Sequence, residues 1–374
     1  MIFQRILLCC SLFLSVLTVA AQEETADTTA ASLPTDVSVH YVLVTPGETA
    51  SSILGHAAIR MSCPSQGLDY CFTIKTPEIR EEVIDMIFGH LRIGLVPEET
   101  SHFRQTYMKE GRGIIEYRLA LSLDDTRRLW QQLDGQVARG LYLDLDYVNN
   151  SCTQVAIDQL YEQLRTRSDL QIDEVIRKTI PVQTRREAVL RYFDQSTWWG
   201  FLLHSCYSYY PDEKVSPRRL VVMPQDAAAV FREAGLVIEE TIVAKQEKSA
   251  PSSDGAWLTP LLASVLFFLL CLLPFRQVDW LAVPLQILSL LLFILLSVFS
   301  HASGIGFNWL ILALFPLTAP VGIVYMLCHM GDIYSLAQLL FVLGFFVRAL
   351  YYLYHHRNQV KKIILFKFIN HSSI

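Results

Sequence analysis

The sequence has few charged side chains and no excess of basic ones. Of its 374 residues 18% are charged, and 36 acidic residues outnumber 31 Lys and Arg, which gives a net charge of −5. A nucleic-acid partner is therefore not expected, because such proteins present a surplus of positive charge. The hydrophobic content of 52% instead fits a chain with one soluble part and one membrane part.

Motifs that mark several common enzyme classes are also missing. The ten histidines are scattered along the chain, and neither an HExxH motif nor a paired CxxC spacing occurs, so no metal site is predicted. There is no phosphate-binding loop and no dinucleotide fingerprint. We expect no cofactor.

What the chain does contain begins with the three parts of a secretory signal. One positive charge at Arg5 precedes an apolar run at residues 6–19, and Val19-Ala20-Ala21 is a small-residue cleavage site. Residues 1–21 are therefore predicted to be a signal peptide, although an uncleaved membrane anchor would show the same apolar run. Residues 22–36 have almost no large apolar side chains and predict a flexible spacer.

The second half carries four apolar stretches of about the length that crosses a bilayer. They lie at residues 257–274, 280–299, 309–328 and 335–354. We predict a polar linker at 246–256, a transmembrane domain of about four helices at 257–356 and a basic tail at 357–374.

The charges near these stretches favour a soluble domain outside the cytoplasm. A first loop bearing Arg276 and a second loop, 300–308, without Lys or Arg both fit the positive-inside rule. The basic tail does not fit four spans. Either one span is miscounted, for instance because it is re-entrant, or the tail lies on the bilayer surface.

The polar part, residues 37–245, interleaves strand and helix patterns. β-Branched and apolar runs at 37–44, 56–61 and 113–121 predict strands, and helical spacing occurs at 78–88, at 122–137 and after Cys152. Ser122 to Asp125 resembles a capping box that opens the second of these helices. Since no βαβ repeat occurs, the predicted class is α+β, followed by an all-α membrane domain.

Four of the eight cysteines lie in the soluble part and would face an oxidising compartment. Cys63 and Cys71 flank a turn and could form a hairpin disulfide. Cys152 and Cys206 leave two alternatives, since both could be thiols or they could be bonded to each other.

Cys152 is a candidate nucleophile because it lies at the predicted start of a helix. Backbone N–H groups and the helix dipole stabilise a thiolate at that position, and a histidine on an adjacent strand, such as His56, could accept its proton. Each residue also has a structural interpretation, as a small buried side chain or half of a disulfide for Cys152 and as a satisfied core side chain for His56.

Other polar residues are weaker candidates. His204 is a rival base, but its aromatic surroundings at 196–210 are more typical of a segment packed at the membrane face. Asp212 and Glu116 are possible orienting carboxylates, though most such residues form structural ion pairs. His301 and Asn308, at the outer end of the third apolar stretch, indicate a lined cavity, a contact with the soluble domain or an ordinary interfacial loop.

Several short segments, in this order, resemble one known family, the Lnb-type bacterial lipoprotein N-acyltransferases. The matching pieces are Ser52-Ile53-Leu54-Gly55-His56-Ala57-Ala58-Ile59-Arg60, Glu110-Gly111-Arg112 with Glu116-Tyr117, Asn150-Ser151-Cys152-Thr153, Ser196 to Gly200, Pro211-Asp212, Pro224 with Ala234-Gly235, and His301 with Asn308-Trp309 and Pro316. The resemblance implies a periplasmic, circularly permuted papain-like (NlpC/P60-like) domain before a helical membrane domain.

The resemblance also implies roles for individual residues. It gives Cys152 as nucleophile and His56 as base, and leaves the third, orienting residue open. The candidates for substrate contact or orientation are Asn150, Ser151, Thr153, Asp212, His301 and Asn308. One position departs from the family, which usually has Asn directly before the cysteine, whereas this chain has Ser151 there and Asn150 one residue earlier.

The implied reaction is an acyl transfer at the inner membrane. An acyl chain would pass from a membrane phospholipid to the cysteine as a thioester, and then to the α-amine of the lipidated N-terminal cysteine of a diacylated lipoprotein. Two other functions remain open from the sequence: a membrane-tethered cysteine peptidase or amidase of the cell envelope, and a non-catalytic lipoprotein-binding assembly factor.

Overall fold

A computed structural model of the chain describes residues 34–49, 52–76, 83–140, 142–144, 150–165, 167, 170–193, 197–206, 213–247, 258–302, 305–306, 308–329 and 331–371. The predicted signal peptide, most of the spacer and of the linker, and Asp212 lie outside the described residues. Val37–Ile374 form one compact unit.

One antiparallel sheet organises the soluble part. Its strands within the described residues are β1 Ser38–Val44, β2 His56–Cys63, β3 Leu68–Lys75, β4 Arg92–Glu99, β5 Ile114–Leu119, β6 Tyr142–Asp144 and β7 Val237–Ala244. The order across the sheet is β6-β4-β3-β2-β1-β5-β7, and every neighbouring pair is antiparallel.

Helices connect and cover the strands. Those of the soluble part are α1 Val83–Phe88, α2 Thr100–Lys109, α3 Leu123–Ala138, α4 Cys152–Leu164, α5 Ile172–Thr179, α6 Arg185–Leu190, α7 Trp198–Cys206, α8 Pro217–Leu220 and α9 Pro224–Glu233. The α+β class is therefore confirmed, while the permuted papain-like arrangement stays a prediction. The predicted cap of α3 is also confirmed, because Ser122 Oγ accepts a hydrogen bond from Asp125 N at 3.0 Å.

The two faces of the sheet bury different clusters. Alternate residues of a strand point to opposite faces, so Ala57 and Ile59 of β2 lie in the main core, together with Ile157 and Leu160 of α4. Ala58 faces the other side, where a smaller cluster includes Phe103 of α2. The strand β2 thus lies between α4 on one face and α2 on the other.

The predicted hairpin disulfide between Cys63 and Cys71 is wrong, since both residues are described and their thiols stay separate. The hairpin register is the reason: Cys63 pairs with Leu68, while Cys71 pairs with Arg60. That register sets the two cysteines three residues apart along the strands, about 10 Å, which is too far for a disulfide.

The apolar half contains helices α10 Pro260–Leu272, α11 Arg276–Phe299, α12 Trp309–Ala313, α13 Ala319–Cys328 and α14 Ile333–His371. Two stretches among the described residues, Gln277–Phe299 and Ile333–His355, are long and apolar enough to cross a membrane, and Pro260–Leu272 and Ala319–Cys328 are shorter apolar helices. The last helix continues through most of the predicted basic tail.

The third predicted span, 309–328, is not one continuous helix. It breaks between Ala313 and Ala319, where Pro316 has no N–H to donate to the preceding turn. Thr318 Oγ1 donates to the carbonyls of Leu312 at 2.5 Å and Phe315 at 3.2 Å, which satisfies acceptors that the break exposes.

Candidate active site

Cys152 is the first residue of α4, and local sequence fixes it there. Ser151 is the N-cap, with extended backbone angles, and its Oγ accepts a hydrogen bond from Gln154 N at 3.2 Å. Ala156, Leu160 and Leu164 of the same helix are buried in the main core. The cap and this apolar face therefore hold the helix N-terminus against the sheet.

The thiol of Cys152 touches the start of β2. It forms hydrogen bonds with the backbone of Ala57 and with Thr153, which is 1% exposed. Burial raises the pKa of the Cys152 thiol, and these hydrogen bonds and the charge of Arg112 only partly oppose that effect. The thiol is therefore protonated at neutral pH, despite the helix dipole.

His56 is the residue before Ala57 and opens β2. Its Nε2 lies 2.5 Å from Thr73 Oγ1, and its ring lies 5.6 Å from the Tyr107 ring and 6.4 Å from the Phe103 ring, measured between centroids. Desolvation, followed by the positive charges of Arg112 and Lys75, lowers the pKa of His56 to about 3. The imidazole is therefore neutral and able to accept a proton.

The imidazole and the thiol both lie at the start of β2, where each packs against different neighbours. His56 lies with Phe103 and Tyr107 on the α2 side, while Cys152 packs against the core that contains Ala57. Each group has its own hydrogen-bond partners in this arrangement, Thr73 for the imidazole and Ala57 with Thr153 for the thiol.

Arg112 acts electrostatically on both groups. Its guanidinium lies over the Tyr107 ring, 4.8 Å from the centroid, and its charge lowers the pKa of both Cys152 and His56. Arg112 is 5% exposed, so this charge acts in a largely desolvated setting.

The residues around Cys152 that the sequence predicted have structural partners. Asn150 Nδ2 donates to the Asp144 carbonyl at 3.1 Å. Ser151 caps α4, and Thr153 contacts the thiol. Among these three, only Thr153 is shown touching the candidate nucleophile.

The rival base, His204, is buried in α7 and faces the membrane half. Its Nε2 lies 3.3 Å from Asp332 Oδ2 and 3.4 Å from Ser335 Oγ. Glu116, considered as an orienting carboxylate, instead forms ion pairs with Arg60 and Arg104, both at 2.7 Å. Both residues are structural in this arrangement.

His301 and Asn308 lie where the apolar half meets the soluble part. The His301 backbone N–H donates to the Phe88 carbonyl at 2.9 Å. Asn308 caps α12 through its Oδ1, and its Nδ2 donates to the Ser205 carbonyl at 2.7 Å. His301 and Asn308 therefore form contacts between the apolar half and the soluble part, which was one of the three alternatives that the sequence left open.

Sequence reasoning missed Thr73 and Tyr107 as neighbours of His56. Neither residue stands in a motif, and they reach the site only because β3 pairs with β2 and α2 covers that face of the sheet. Arg112 had a signal, since it is part of the Glu110-Gly111-Arg112 segment of the family resemblance, but no role was attached to it.

Residues 24–190 match the family model described as the Lnb N-terminal periplasmic domain. This segment is an Lnb-type periplasmic domain. The match confirms the resemblance seen in the sequence, and it includes His56, Thr73, Arg112 and Cys152. No curated protein and no solved structure matches the chain.

The Lnb-type domain and the two long apolar helices together indicate a membrane protein with a periplasmic domain. The full number of membrane crossings stays a prediction. Membership of this domain family is consistent with an enzyme, and Cys152 and His56 are the candidate chemical groups within it.

Proposed function

We propose that this protein is a thiol-dependent lipoprotein N-acyltransferase. In this proposal Cys152 takes an acyl chain from a membrane phospholipid and passes it to the α-amine of a diacylated lipoprotein's N-terminal cysteine. The observation that carries the proposal is the position of the Cys152 thiol, at the N-terminus of α4 and bonded to the backbone of the residue after His56, within an Lnb-type domain.

His56 is the proposed base. If Thr73 Oγ1 accepts the Nε2 hydrogen, the lone pair of the neutral imidazole is on Nδ1, which is then the nitrogen that takes the thiol proton. The protonated thiol and neutral imidazole describe the resting site. Proton transfer accompanies attack on the substrate, because burial disfavours a separated pair of charges before substrate arrives.

The first half-reaction is attack of Cys152 Sγ on an ester carbonyl of the phospholipid. The thiol proton passes to His56, the carbonyl becomes a tetrahedral oxyanion, and backbone N–H groups and the helix dipole at the N-terminus of α4 stabilise that charge. Collapse of the intermediate breaks the ester C–O bond. The leaving glycerol oxygen takes the proton from His56, which gives a lysophospholipid and a thioester on Cys152.

The second half-reaction returns the thiol. The free amine of the lipoprotein's N-terminal cysteine attacks the thioester, an amide forms and the C–S bond breaks. His56 takes one amine proton and returns it to Sγ. The products are the N-acylated lipoprotein and the starting enzyme.

The contacts between the two parts of the chain support a substrate at the bilayer surface. Trp198 and Leu202 of α7 are 40% and 48% exposed, and Trp198 Nε1 donates to the Leu258 carbonyl at 2.9 Å, just before α10. Exposed tryptophan beside the start of an apolar helix is typical of the headgroup level. These contacts support the proposed inner-membrane location, with the Lnb-type domain in the periplasm.

The non-catalytic alternative loses its supporting feature. A disulfide between Cys152 and Cys206 would favour a binding module, but both residues are described and their thiols stay separate. The peptidase or amidase alternative needs the same two residues. It differs from the proposed acyltransferase in the acceptor that receives the acyl group from the acyl-enzyme.

Intact-protein mass spectrometry tests the proposal. The detergent-solubilised protein is incubated with phospholipid and then with a diacylated lipopeptide, and Cys152→Ala is compared with Cys206→Ala, which removes an exposed thiol. We expect an acyl adduct in the native chain and in Cys206→Ala, followed by its transfer to the lipopeptide amine. An adduct that persists in Cys152→Ala, or that moves only to water, would contradict the proposal.

A further inference from the structure

Arg112 is held at the candidate site by three contacts. Its Nε donates to the Thr45 carbonyl at 2.7 Å, its Nη1 donates to Glu110 Oε2 at 3.2 Å, and its guanidinium lies 4.8 Å from the Tyr107 ring centroid. Gly47 leaves room for this side chain, because a Cβ there would lie 3.2 Å from Arg112 Cδ. The guanidinium is therefore positioned before any substrate binds.

One nitrogen of this buried guanidinium is unsatisfied. Within the part of the chain that the structure describes, Arg112 Nη2 is buried and has no hydrogen-bond acceptor. The only ion-pair partner that the structure shows among those residues, Glu110, is itself 47% exposed on its side chain. A buried charged donor without a partner costs free energy, so the site is arranged to receive an acceptor from outside.

The position of Arg112 indicates which acceptor that is. The Tyr107 ring contacts both the guanidinium, at 4.8 Å from its centroid, and the His56 ring, at 5.6 Å between centroids, and the charge of Arg112 acts on both His56 and Cys152. A group bound at Nη2 would therefore belong to a molecule that also reaches the candidate nucleophile and base. Arg guanidinium is well suited to phosphate because of its charge and its fixed, planar set of donors.

We propose that Arg112 Nη2 binds the phosphate of the phospholipid donor while the ester of the same lipid meets Cys152. This inference rests on the proposed acyl transfer and adds the group that selects the donor. The phosphate supplies the acceptor that Nη2 lacks and neutralises the buried charge. Phospholipids are then preferred over uncharged diacylglycerols with the same ester bonds.

A comparison of two donors tests this without any variant. The native protein is mixed with phosphatidylglycerol or with a diacylglycerol of the same acyl chains in the same detergent, and acylation of Cys152 is followed by mass. We expect acylation from phosphatidylglycerol to be about tenfold faster or more, since a charge-assisted hydrogen bond is gained only with phosphate. Equal rates would overturn the role of Arg112, whereas no adduct from either donor would overturn the proposed acyl transfer itself.

Variants then assign the preference to Arg112. Arg112→Gln is expected to slow acylation by phosphatidylglycerol about tenfold more than acylation by diacylglycerol, because the loss of its charge near the thiol affects both donors while the loss of the phosphate contact affects only one; Arg112→Lys should keep part of the preference. Arg118→Gln, on the exposed side of β5, is the matched control and should keep the full preference. If Arg112→Gln slows both donors equally, the guanidinium serves the thiol rather than the phosphate, and the inference is wrong.

Discussion

The backbone of Ala57 forms a hydrogen bond with the thiol of Cys152. This contact places the N-terminus of α4 beside the residue that follows His56. Strand β2 pairs with β1 from His56 onward, but its pairing with β3 begins only at Ala58. Because Ala57 is not paired with β3, its backbone is accessible to the thiol on that side of the strand. The candidate nucleophile therefore lies where the ladder starts, rather than on a loop.

The reactivity of Cys152 should increase with pH, because burial raises the pKa of its thiol. We expect iodoacetamide labelling of Cys152, measured by peptide mass spectrometry, to rise steadily from about pH 7 to about pH 9. Labelling after denaturation is the control for total thiol. A labelling rate that is already constant below neutral pH would show a preformed thiolate, contrary to this expectation.

His56 should make the protein less stable in acid. Its pKa is lowered from 6.5 to about 3 in the folded chain, so the unfolded state binds the proton first. Stability from this group is complete above pH 6.5 and is lost as the pH falls towards 3, with a slope of up to about 1.4 kcal/mol per pH unit.

The variant His56→Gln should therefore show a shallower loss of stability between these pH values, besides losing acyl transfer. Thermal midpoints of the solubilised protein across this pH range provide the measurement. His40→Gln is the comparison, since the pKa of His40 is also lowered, to about 4, at a site away from the thiol. If stability falls with pH as steeply in His56→Gln as in the native chain, the imidazole is hydrated rather than desolvated, and the prediction is wrong.

Thr73 should act as a positioning residue for His56. Thr73→Val keeps the shape but removes the hydroxyl 2.5 Å from Nε2, and we expect acylation of Cys152 to slow about fivefold, as for the loss of one hydrogen bond of about 1 kcal/mol. Thr73→Ser should restore the rate. A Ser variant as slow as Val would point to packing instead of the hydroxyl.

The departure at Ser151 from the family pattern should be nearly neutral. Ser and Asn are both strong N-cap residues, whereas Ala at an N-cap costs about 1 kcal/mol. We therefore expect Ser151→Asn to keep the thermal midpoint and the acylation rate, and Ser151→Ala to lower the midpoint. Loss of acylation in a stable Ser151→Asn would instead give Ser151 a direct role with substrate.

Asn308 should connect the apolar half to the soluble part. Its Oδ1 caps α12, and its Nδ2 donates to the Ser205 carbonyl at 2.7 Å. Asn308→Asp keeps the cap and loses the donor, while Asn308→Ala loses both. We expect both variants to increase hydrogen exchange in α7, by the loss of a buried hydrogen bond of about 1–3 kcal/mol.

A helix cap without that connection provides the control for Asn308. Thr259 Oγ1 accepts a hydrogen bond from Leu262 N at 3.3 Å at the start of α10, so Thr259→Ala removes a cap alone. It should leave exchange in α7 unchanged. If Asn308→Asp behaves like the native chain, the contact with Ser205 contributes little and the cap is what matters.

The sequence alone determined the features that depend on local pattern. The α+β class, the strand that begins at His56, the capped start of the Ser122 helix and the helix that begins at Cys152 all follow from spacing and from single capping residues. The motifs around His56 and Cys152 also identified the Lnb-type domain. These signals lie within short stretches, so no long-range information was needed.

The tertiary structure decided what depends on register and packing. The β2–β3 register separated Cys63 from Cys71. The interruption of the helix around Pro316 divided a stretch that hydrophobicity alone predicts as one membrane span. The same pairing brought Thr73 to His56, and α2 brought Tyr107 and the neighbouring Arg112. Such partners are distant in sequence and carry no periodic signal, because only the pairing of strands and the covering of a sheet face bring them together.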